Sequence, residues 1–331
     1  MRLATVLTPV NEKNLQLAAQ CGVEELVVRY PGDQLGALKR AVEQAAAYGL
    51  GVRVVEGYLP IERLKIGQDD GRQLSAMQRL MEQMSDCQVP LLCYNFMAGT
   101  DWARTELAAT ERGGARTTAF RLADAEKAQL LGYQASDPEH EAAAKAQTSA
   151  SLWQHLDRMM DSLLPVAERL GIAMAMHPDD PPLPQLLGKP RIMHSVESFQ
   201  QLLQRYPSKS NRICFCQGTF AAMGCDILKT IRMFGDAIAY VHFRDVRGTA
   251  DAFIETFHDN GPTDMAAAMQ TLWEVGFRGA MRPDHVPQMV GEEDGEPGYT
   301  MLGRLFAWGY MRGLMHAVQS RSASADGGVV S

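Results

Sequence analysis

The stretch Leu170-Gly171-Ile172-Ala173-Met174-Ala175-Met176 decides the predicted fold, because it ends a helix and at once begins a buried strand. A glycine after an apolar helical stripe supplies the left-handed residue that ends many helices. The apolar run after it does not alternate with polar residues, which is typical of a parallel sheet covered on both faces. The same order recurs at Cys21-Gly22-Val23 and Val275-Gly276-Phe277. The sequence therefore predicts helices that alternate with parallel strands.

Eight strand-like runs follow one another along the chain. They are Leu3–Leu7, Val23–Val28, Val52–Val55, Leu91–Tyr94, Ile172–Met176, Arg212–Phe215, Ile238–Val241 and Phe277–Met281. Eight such strands with helices between them favour an α/β fold of the closed (β/α)8 TIM-barrel type over an open doubly wound sheet. No Gly-x-Gly-x-x-Gly pattern follows the first run, which weakens the nucleotide-binding alternative.

Helix signals and composition shifts set the expected domain limits. Asn11 and Asp33 are predicted N-caps, Pro165 is a predicted kink, and the last helix is expected at about Tyr299–Val318. We expect residues 1–318 to form a single TIM-barrel domain. An insertion after strand four, at about 97–146, shows no sustained strand pattern and is predicted to contain short helices. Residues 319–331 are predicted to be a disordered tail.

Composition restricts the kinds of partner. The chain has 331 residues, 46% of them hydrophobic, with a formal net charge of −7 and a pI near 5.7. No broad basic surface is indicated, so neither nucleic acid nor membrane is an expected partner, and a small molecule is favoured. No apolar run reaches the roughly 18 residues needed to span a bilayer, and no secretory signal is apparent. Six cysteines without a framework pattern suit a cytoplasmic location, and a homo-oligomer remains open.

Potential metal ligands stand at the carboxyl ends of four consecutive predicted strands, where TIM barrels gather their reacting groups. They are His177, Cys216, His242 and the Asp284 of Arg282-Pro283-Asp284-His285. Two imidazoles, a thiolate and a carboxylate suit a divalent first-row metal, with manganese, iron and zinc all chemically possible. The thiolate favours softer ions, whereas the carboxylate and open positions favour manganese or iron. Cys214 is predicted to pack deeper in the barrel.

Several short motifs together resemble the metal-dependent mannonate dehydratase family, whose fold is a TIM barrel related to the xylose isomerases. The resemblance runs in order from about Leu59 to Met315. It is carried by Cys93-Tyr94-Asn95-Phe96-Met97, Asp101-Trp102-Ala103-Arg104-Thr105, His177-Pro178-Asp179-Asp180-Pro181-Pro182, Cys216-Gln217-Gly218-Thr219, Val241-His242-Phe243-Arg244 and Arg282-Pro283-Asp284-His285. Each motif is weak alone, but their joint occurrence is specific.

The resemblance implies a ligand set and a reaction. His177, Cys216, His242 and Asp284 would bind a divalent cation, Mn²⁺ first, with Fe²⁺ or another first-row ion as alternatives. The enzyme would be a carbon–oxygen lyase of hexuronate catabolism, a hydro-lyase that converts D-mannonate to 2-keto-3-deoxy-D-gluconate. A proton beside a carboxylate is weakly acidic, so a metal is needed to stabilise the enediolate, and the leaving C3 hydroxyl needs a general acid.

Catalytic and substrate-binding roles also follow from the resemblance. His285 and Tyr299 would be the acid/base pair, in an order the sequence leaves open, and Arg282 would bind the substrate carboxylate or polarise a neighbouring group. Further expected substrate contacts are Lys65, Asn95, Trp102, Arg104 and His258. Most have a structural alternative: Trp102 and Tyr299 as packing aromatics, and Arg104 and Lys65 as solvated cations. Glu56, after strand three, could be a structural acceptor.

Two departures from the family pattern keep other functions open. The segment Glu255–Asp264 is shorter than its counterpart, and Thr300–Gly303 differs from the usual continuation. One alternative is a metal-dependent isomerase or epimerase of a sugar or sugar acid on the same barrel. A lesser one is a non-catalytic sugar-acid-binding protein, which the presence of Arg282, His285 and Tyr299 argues against. A DNA-repair role is disfavoured by the acidic balance.

Overall fold

Eight parallel strands hydrogen-bond in a closed ring in the computed structural model, which describes residues 1–32, 34, 36–131 and 137–326, the last five without their side chains. The ring consists of β1 (Arg2–Thr5), β2 (Glu25–Val28), β3 (Gly51–Glu56), β4 (Leu91–Tyr94), β5 (Ala173–Met176), β6 (Asn211–Cys216), β7 (Ile238–Phe243) and β8 (Ala280–Pro283). Each strand pairs with the next along the chain, and β8 pairs with β1 to close the ring. The predicted TIM barrel is confirmed.

Helices connect and surround these strands. They are α1 (Glu12–Gln20), α2 (Ala37–Ala46), α3 (Glu62–Lys65), α4 (Arg72–Asp86), α5 (Pro138–Lys145), α6 (Ser149–Leu170), α7 (Val196–Arg205), α8 (Gln217–Ala222), α9 (Ile227–Phe234), α10 (Met265–Glu274) and α11 (Met301–Asp326). Among the described residues, no helix is both long and apolar enough to cross a membrane. The regular alternation places the carboxyl end of every strand on one face of the barrel.

The predicted helix ends agree with the local geometry. The side chain of Asn11 accepts a hydrogen bond from the backbone N–H of Asn14 and so caps α1. Gly171 has a φ of 67° at the end of α6, a left-handed value that favours glycine. Helix α6 continues through Pro165 without ending there. Asp33, the other predicted cap, lies outside the described residues.

The barrel interior is a separate apolar cluster from the layer between strands and helices. It contains small and medium side chains from alternate strand positions, among them Ala4, Val27, Val54, Cys93, Ala175, Cys214 and Tyr240. Cys214 is fully buried there, as expected from its position two residues below Cys216. The floor beneath the carboxyl-terminal face is therefore packed with side chains, and a ligand at this face lies above it.

The end of the chain differs from the prediction in two places. Strand β8 begins at Ala280 and includes Arg282 and Pro283, because its neighbour β7 pairs His242 with Arg282 and Phe243 with Pro283. Because of this register with β7, strand β8 includes the first two residues of the polar stretch Arg282-Pro283-Asp284-His285. Helix α11 begins at Met301, after Tyr299, and continues to Asp326, which includes the first part of the predicted tail. The rest of that tail, residues 327–331, lies outside the described residues.

The insertion after β4 contains strands that the sequence did not indicate. Its strands are Trp102–Arg104, Glu106–Thr110, Arg116–Arg121 and Gln129–Leu131, besides the helical segment α5 and two short 3-10 turns. Arg116–Arg121 pairs with Ala252–Glu255 of a hairpin that follows β7, and Phe120 packs on Phe253 across this sheet. The predicted short helices are present, but the strands were missed. Among the described residues of the insertion, only Glu106–Thr110 and Arg116–Arg121 form a local hairpin, and the remaining pairings join more distant segments, so no sustained local pattern marks the strands.

Candidate active site

A cavity of about 280 Å³ lies at the carboxyl ends of the barrel strands, the face at which TIM barrels bind their substrates. All but three of the predicted site residues line it, namely Lys65, Asn95, Trp102, His177, His242, Arg282, Asp284, His285 and Tyr299. The other three, Cys216, Arg104 and His258, are fully buried and do not contribute to its lining. The fold thus brings most of the predicted residues together in one site.

A group of potential metal ligands lies on one side of this cavity. His177, Cys216 and His242 each offer a nitrogen or sulfur atom, and these atoms all lie within 4.8 Å of one another. Asp284 Oδ2 lies 3.8 Å from the Sγ of Cys216 and 3.7 Å from the Nδ1 of His242. His177 Nδ1 lies 2.7 Å from the carbonyl oxygen of Pro178, which leaves Nε2 as its free ligand atom. The donor set fits a divalent transition metal.

The electrostatics favour a thiolate at Cys216. Burial opposes its ionisation, but the Arg244 guanidinium and the His177 ring beside it hold the pKa of this thiol well below its usual range. Thr219 Oγ1 also donates a hydrogen bond to Cys216 Sγ, at 3.1 Å. Because the thiolate is the form that binds metal, Cys216 is prepared to act as a ligand.

A second combination, Cys93, Cys214 and His242, is close enough in space to hold an ion. Burial, however, raises the pKa of the Cys214 thiol well above its usual value, and the neighbouring Cys93 raises it further. Cys93 and Cys214 both belong to the apolar cluster of the barrel interior, where a neutral thiol packs as a small hydrophobic group.

Two arginines hold Asp284 in place. Arg244 Nε donates to its Oδ2 at 2.8 Å, and Arg282 Nη1 donates to its Oδ1 at 2.7 Å. Burial opposes the ionisation of this carboxyl, but the Arg282 guanidinium and the His285 ring keep its pKa well below the usual range. Asp284 is therefore a fixed carboxylate at the rim of the metal-ligand group.

Arg282 is fully engaged with protein acceptors. Its Nε and Nη2 atoms donate to the two carboxylate oxygens of Glu56, at 3.1 and 2.7 Å, and its Nη1 atom donates to Asp284 and to the Pro283 carbonyl. Nη2 also lies 3.5 Å from Nδ1 of His242. A guanidinium has five N–H donors, of which four are used by these protein oxygens while the fifth faces the His242 ring. The geometry favours the second of the two expected roles, that of orienting neighbouring groups.

His285 is held from two sides. Its Nδ1 atom lies 2.6 Å from Oε1 of Glu255, and its ring stacks on Trp102 with centroids 4.1 Å apart. Its φ of 40° is left-handed, a value that is uncommon for residues other than glycine. With Nδ1 occupied, Nε2 is the nitrogen left for proton transfer. Glu255 was not anticipated, because it lies on the hairpin that pairs with the insertion.

Tyr299 lies beside His285 in the cavity wall, with ring centroids 5.7 Å apart. Burial raises the pKa of its phenol to about 12, although the Arg29 guanidinium opposes this rise. The hydroxyl is therefore protonated at neutral pH and is a potential proton donor. The alternative role for Tyr299 was that of a packing aromatic at the start of the last helix. Tyr299 lies before α11, so it is not part of that helix.

Lys65 and Asn95 form a hydrogen-bonded pair in the cavity wall. Lys65 Nζ donates to Glu62 at 2.6 Å, to Asn95 Oδ1 at 2.8 Å and to the Met97 carbonyl at 3.4 Å. Lys65 is buried, so it is not a solvated cation, which was its structural alternative. The three donors of its ammonium group are all used, so it shapes this wall more than it offers charge to a ligand.

Arg104 and His258 lie in the layer behind the cavity. Arg104 donates two hydrogen bonds to Asp180, at 2.7 and 3.0 Å, and another to Glu255. It is wholly buried, which excludes the solvated alternative, and it has no surface for substrate. His258 is also wholly buried, and burial lowers its pKa to about 4, so its ring is neutral. The substrate contacts expected of these two residues have no counterpart in the cavity lining.

Some residues of the site were missed by sequence reasoning. Arg29 follows β2 directly and lines the cavity, so the rule about strand ends could have found it. Asp180 lies between Arg104 and Arg244, bonded to both, and its own motif could have indicated it. Glu255 carried no comparable signal, because only the fold brings its hairpin over the barrel.

A TIM barrel with potential metal-binding side chains at its carboxyl face defines a class of metal-dependent barrel enzymes. Among the families of this class, the model of the D-mannonate dehydratase (UxuA) family matches residues 11–325. The mannonate dehydratase of Oceanobacillus iheyensis is 30% identical over 312 residues, which cover 88% of this chain and 87% of that protein. The chain belongs to the D-mannonate dehydratase family.

Solved structures agree with this assignment. The crystal structure of mannonate dehydratase from Streptococcus suis serotype 2 superposes with a TM-score of 0.87 at 27% identity, covering 97% of this chain and 95% of that one. An L-ribulose 3-epimerase superposes with a TM-score of 0.59 at 13% identity, covering 100% and 99%. The second likeness shows the shared barrel fold alone.

Proposed function

We propose that this chain dehydrates D-mannonate to 2-keto-3-deoxy-D-gluconate. The observation that carries the proposal is the convergence, in one cavity, of the ligand group with the neighbouring pair His285 and Tyr299. The family match over residues 11–325 supports dehydration over the isomerase, epimerase and binding-protein alternatives. A dehydration needs a site for the negative charge at C1, a base for the C2 proton and an acid for the C3 hydroxyl, and this cavity contains candidates for all three.

We further propose that His177, Cys216, His242 and Asp284 hold a divalent cation, with Mn²⁺ as the first candidate and Fe²⁺ as the second. The fit rests on the ionised thiol of Cys216 and on the ligand atoms of the two histidines and the cysteine, which lie within 4.8 Å of one another. A bound divalent cation would supply electrostatic stabilisation for the charge that develops when C2 loses its proton. The arginines that hold Asp284 would keep its carboxylate oriented.

His285 is the proposed base. Its Nδ1–H donates to the carboxylate of Glu255, so the lone pair on Nε2 is available to accept the C2 proton. The imidazolium that forms would be stabilised by the same carboxylate, in the way that a buried carboxylate supports histidine in other enzymes. Trp102, stacked on the ring, holds it against rotation.

Tyr299 is the proposed acid. Its phenol keeps its proton at neutral pH because burial raises its pKa to about 12. As the C3–O bond breaks, this proton would pass to the departing hydroxyl, which leaves as water. The enol that remains then ketonises by taking up a proton at C3 and releasing its hydroxyl proton. The proton held on His285 balances the one that Tyr299 has given up, so both groups return to their starting state.

The test is a product assay with purified protein, Mn²⁺ and a series of aldonic acids that includes D-mannonate. Formation of a 2-keto-3-deoxy acid with loss of one water supports dehydration, whereas a product of unchanged mass supports isomerisation or epimerisation. Binding of D-mannonate without turnover under any divalent metal would support the sensor alternative. The assay is repeated with Fe²⁺ to compare the two metals.

A matched pair of cysteine variants tests the ligand set. We expect Cys216→Ala to lose both bound metal and activity, with the metal content measured by plasma emission spectroscopy. Cys87→Ala is the control, because Cys87 ends α4 and does not line the cavity. Full metal content and activity in Cys216→Ala would show that the proposed ligand set is wrong.

The setting of the reaction belongs to the same proposal. We infer a role in hexuronate catabolism in the cytoplasm, which the six free cysteines support. The chain is proposed to act as one domain over residues 1–318, with the insertion as part of its catalytic face. A homo-oligomer stays a prediction, and size-exclusion chromatography with light scattering measures it directly.

A further inference from the structure

The cations that line the cavity in the described part of the chain differ in how their donors are used. Arg282 donates four hydrogen bonds to protein oxygens, and Lys65 uses all three of its donors on protein oxygens. Arg29 donates from Nη1 to Oε1 of Glu56, the last residue of β3, at the long distance of 3.4 Å. The Tyr299 side chain is the other polar neighbour of this guanidinium among the described residues. Since a guanidinium has five N–H donors, Arg29 keeps several that these two acceptors do not use.

Arg29 is held in position by packing more than by hydrogen bonds. It directly follows β2, and its guanidinium carbon lies 5.6 Å from the ring centroid of Tyr58 and 5.7 Å from that of Tyr299. A Cβ atom at Gly57 would lie 2.9 Å from Nη1 of Arg29, so the glycine leaves room for the guanidinium. Its side chain is 31% exposed. The rings of Tyr58 and Tyr299, together with the space left by Gly57, thus hold the planar guanidinium of Arg29 at the cavity wall, where it is accessible.

Glu56 does not neutralise Arg29 effectively. Its two oxygens already accept hydrogen bonds from Arg282, at 3.1 and 2.7 Å, and a further one from the Tyr240 hydroxyl at 2.8 Å. The contact with Arg29 is longer than each of these three and therefore weaker. The charge of Arg29 and its remaining N–H groups are thus available to a ligand in the cavity.

We propose that Arg29 binds the carboxylate of the substrate and so selects sugar acids over neutral sugars. The inference rests on the proposed dehydration and adds a residue to it. A guanidinium presents paired donors that match the two oxygens of a carboxylate. The reacting carbons of an aldonic acid, C2 and C3, are the next two after the carboxylate. An acid held at Arg29 therefore keeps them close to Tyr299, which packs against the same guanidinium.

The test compares a charged ligand with a neutral one. The charged ligand is the 3-deoxy analogue of D-mannonate, which cannot lose its C3 hydroxyl, and the neutral one is the primary amide of that analogue. Isothermal titration calorimetry with the metal-loaded protein gives both dissociation constants without turnover. We expect Arg29→Gln to weaken binding of the acid by about 10- to 100-fold and to leave binding of the amide within about twofold. Arg29→Lys keeps the charge and should lose less.

The control is Arg53→Gln, which removes an arginine from β3 that does not line this cavity. Equal losses for acid and amide in Arg29→Gln would overturn the inference, because Arg29 would then only support the cavity wall. Unchanged affinity for the acid would overturn it as well, as would a wild-type protein that does not prefer the acid. If the wild type binds the acid through Arg29 but does not dehydrate D-mannonate, the proposed function fails and the carboxylate contact stands.

Discussion

The Oε1 atom of Glu255 lies 2.6 Å from the Nδ1 atom of His285, and both side chains are buried. Burial opposes ionisation of Glu255, but the His285 ring and the Arg104 guanidinium lower its pKa to about 2. The carboxylate is thus permanently charged at neutral pH and fixes the orientation of the ring. Since Glu255 does not line the cavity, it acts on the reaction through His285.

Replacing Glu255 by glutamine should lower kcat roughly 100-fold with little change in KM, because the amide stabilises a forming imidazolium far less than a carboxylate does. Steady-state kinetics measure the effect, and Glu255→Asp should recover part of it. Glu106→Gln, an exposed position on the insertion, is the matched control. A kcat equal to that of the wild type in a folded Glu255→Gln protein would contradict the role given to this residue.

Tyr299→Phe should lower kcat by roughly 100- to 1,000-fold, because the variant lacks the proton that the departing hydroxyl needs. Binding of the 3-deoxy analogue and metal content should be nearly unchanged, since the ring is retained. The comparison variant is Tyr310→Phe, on α11 and outside the cavity lining. Loss of metal or of the fold in Tyr299→Phe would show that the hydroxyl has a structural role instead.

Arg104→Met should lower the free energy of unfolding by about 3–5 kcal/mol, because it removes one cationic partner from each of the buried carboxylates of Asp180 and Glu255, which then share Arg244. Methionine retains much of the side-chain volume, so the change is mainly one of charge. Urea titration followed by circular dichroism measures it. Arg121→Met, at an exposed arginine, should change stability by less than about 0.5 kcal/mol. Unaltered stability with impaired substrate binding would instead support the substrate contact that the resemblance implied.

The buried ring of His258 should make stability depend on pH. Its pKa of about 4 lies below the value of about 6.5 for an exposed histidine, because burial disfavours the charged form. Between these values the unfolded chain binds a proton that the folded chain does not, so stability falls as the pH falls from 6.5 to 4. At higher pH the ring is neutral in both states and the effect vanishes.

The His258→Gln variant removes this titration. Its unfolding free energy should decrease less than that of the wild type between about pH 8 and about pH 4.5, by on the order of 1–3 kcal/mol. Urea titrations at several pH values give the two curves, and their difference at the alkaline end measures the packing effect of the substitution alone. Parallel curves over the whole range would mean that His258 titrates alike in the folded and unfolded states.

The barrel could be predicted because each repeat carries its own local signals. The stretch from Gly171 to Met176 contains both the end of a helix and a complete buried strand, and similar units occur around the ring. The predicted last strand ended at Met281, whereas β8 ends at Pro283 because its register with β7 continues to that residue. The strands of the insertion were not found, because they carry no sustained apolar pattern and the hairpin of Glu106–Thr110 and Arg116–Arg121 is completed only by the distant segment Ala252–Glu255.

The site could be predicted to the extent that it lies on strand ends. His177, Cys216, His242 and Asp284 follow this rule, and the structure brings them together. Two properties of the site depend on contacts that only the folded structure shows. The hydrogen bonds of Arg282 depend on Glu56, which lies across the barrel. The orientation of His285 depends on Glu255, which belongs to a hairpin outside the barrel. Such pairings join residues that are distant in sequence, so no spacing rule contains them.

The sheet formed by Arg116–Arg121 and Ala252–Glu255 gives the two halves of the site separate structural origins. The barrel strands alone position the metal-ligand group, whereas the partner of the proposed base comes from material added outside the barrel. Substitutions in this accessory sheet can therefore alter the partner of the proposed base while the strand ends that carry the potential ligands keep their positions. A barrel of this type can thus keep these strand ends and exchange one chemistry for another when the two loops that form the sheet are remodelled.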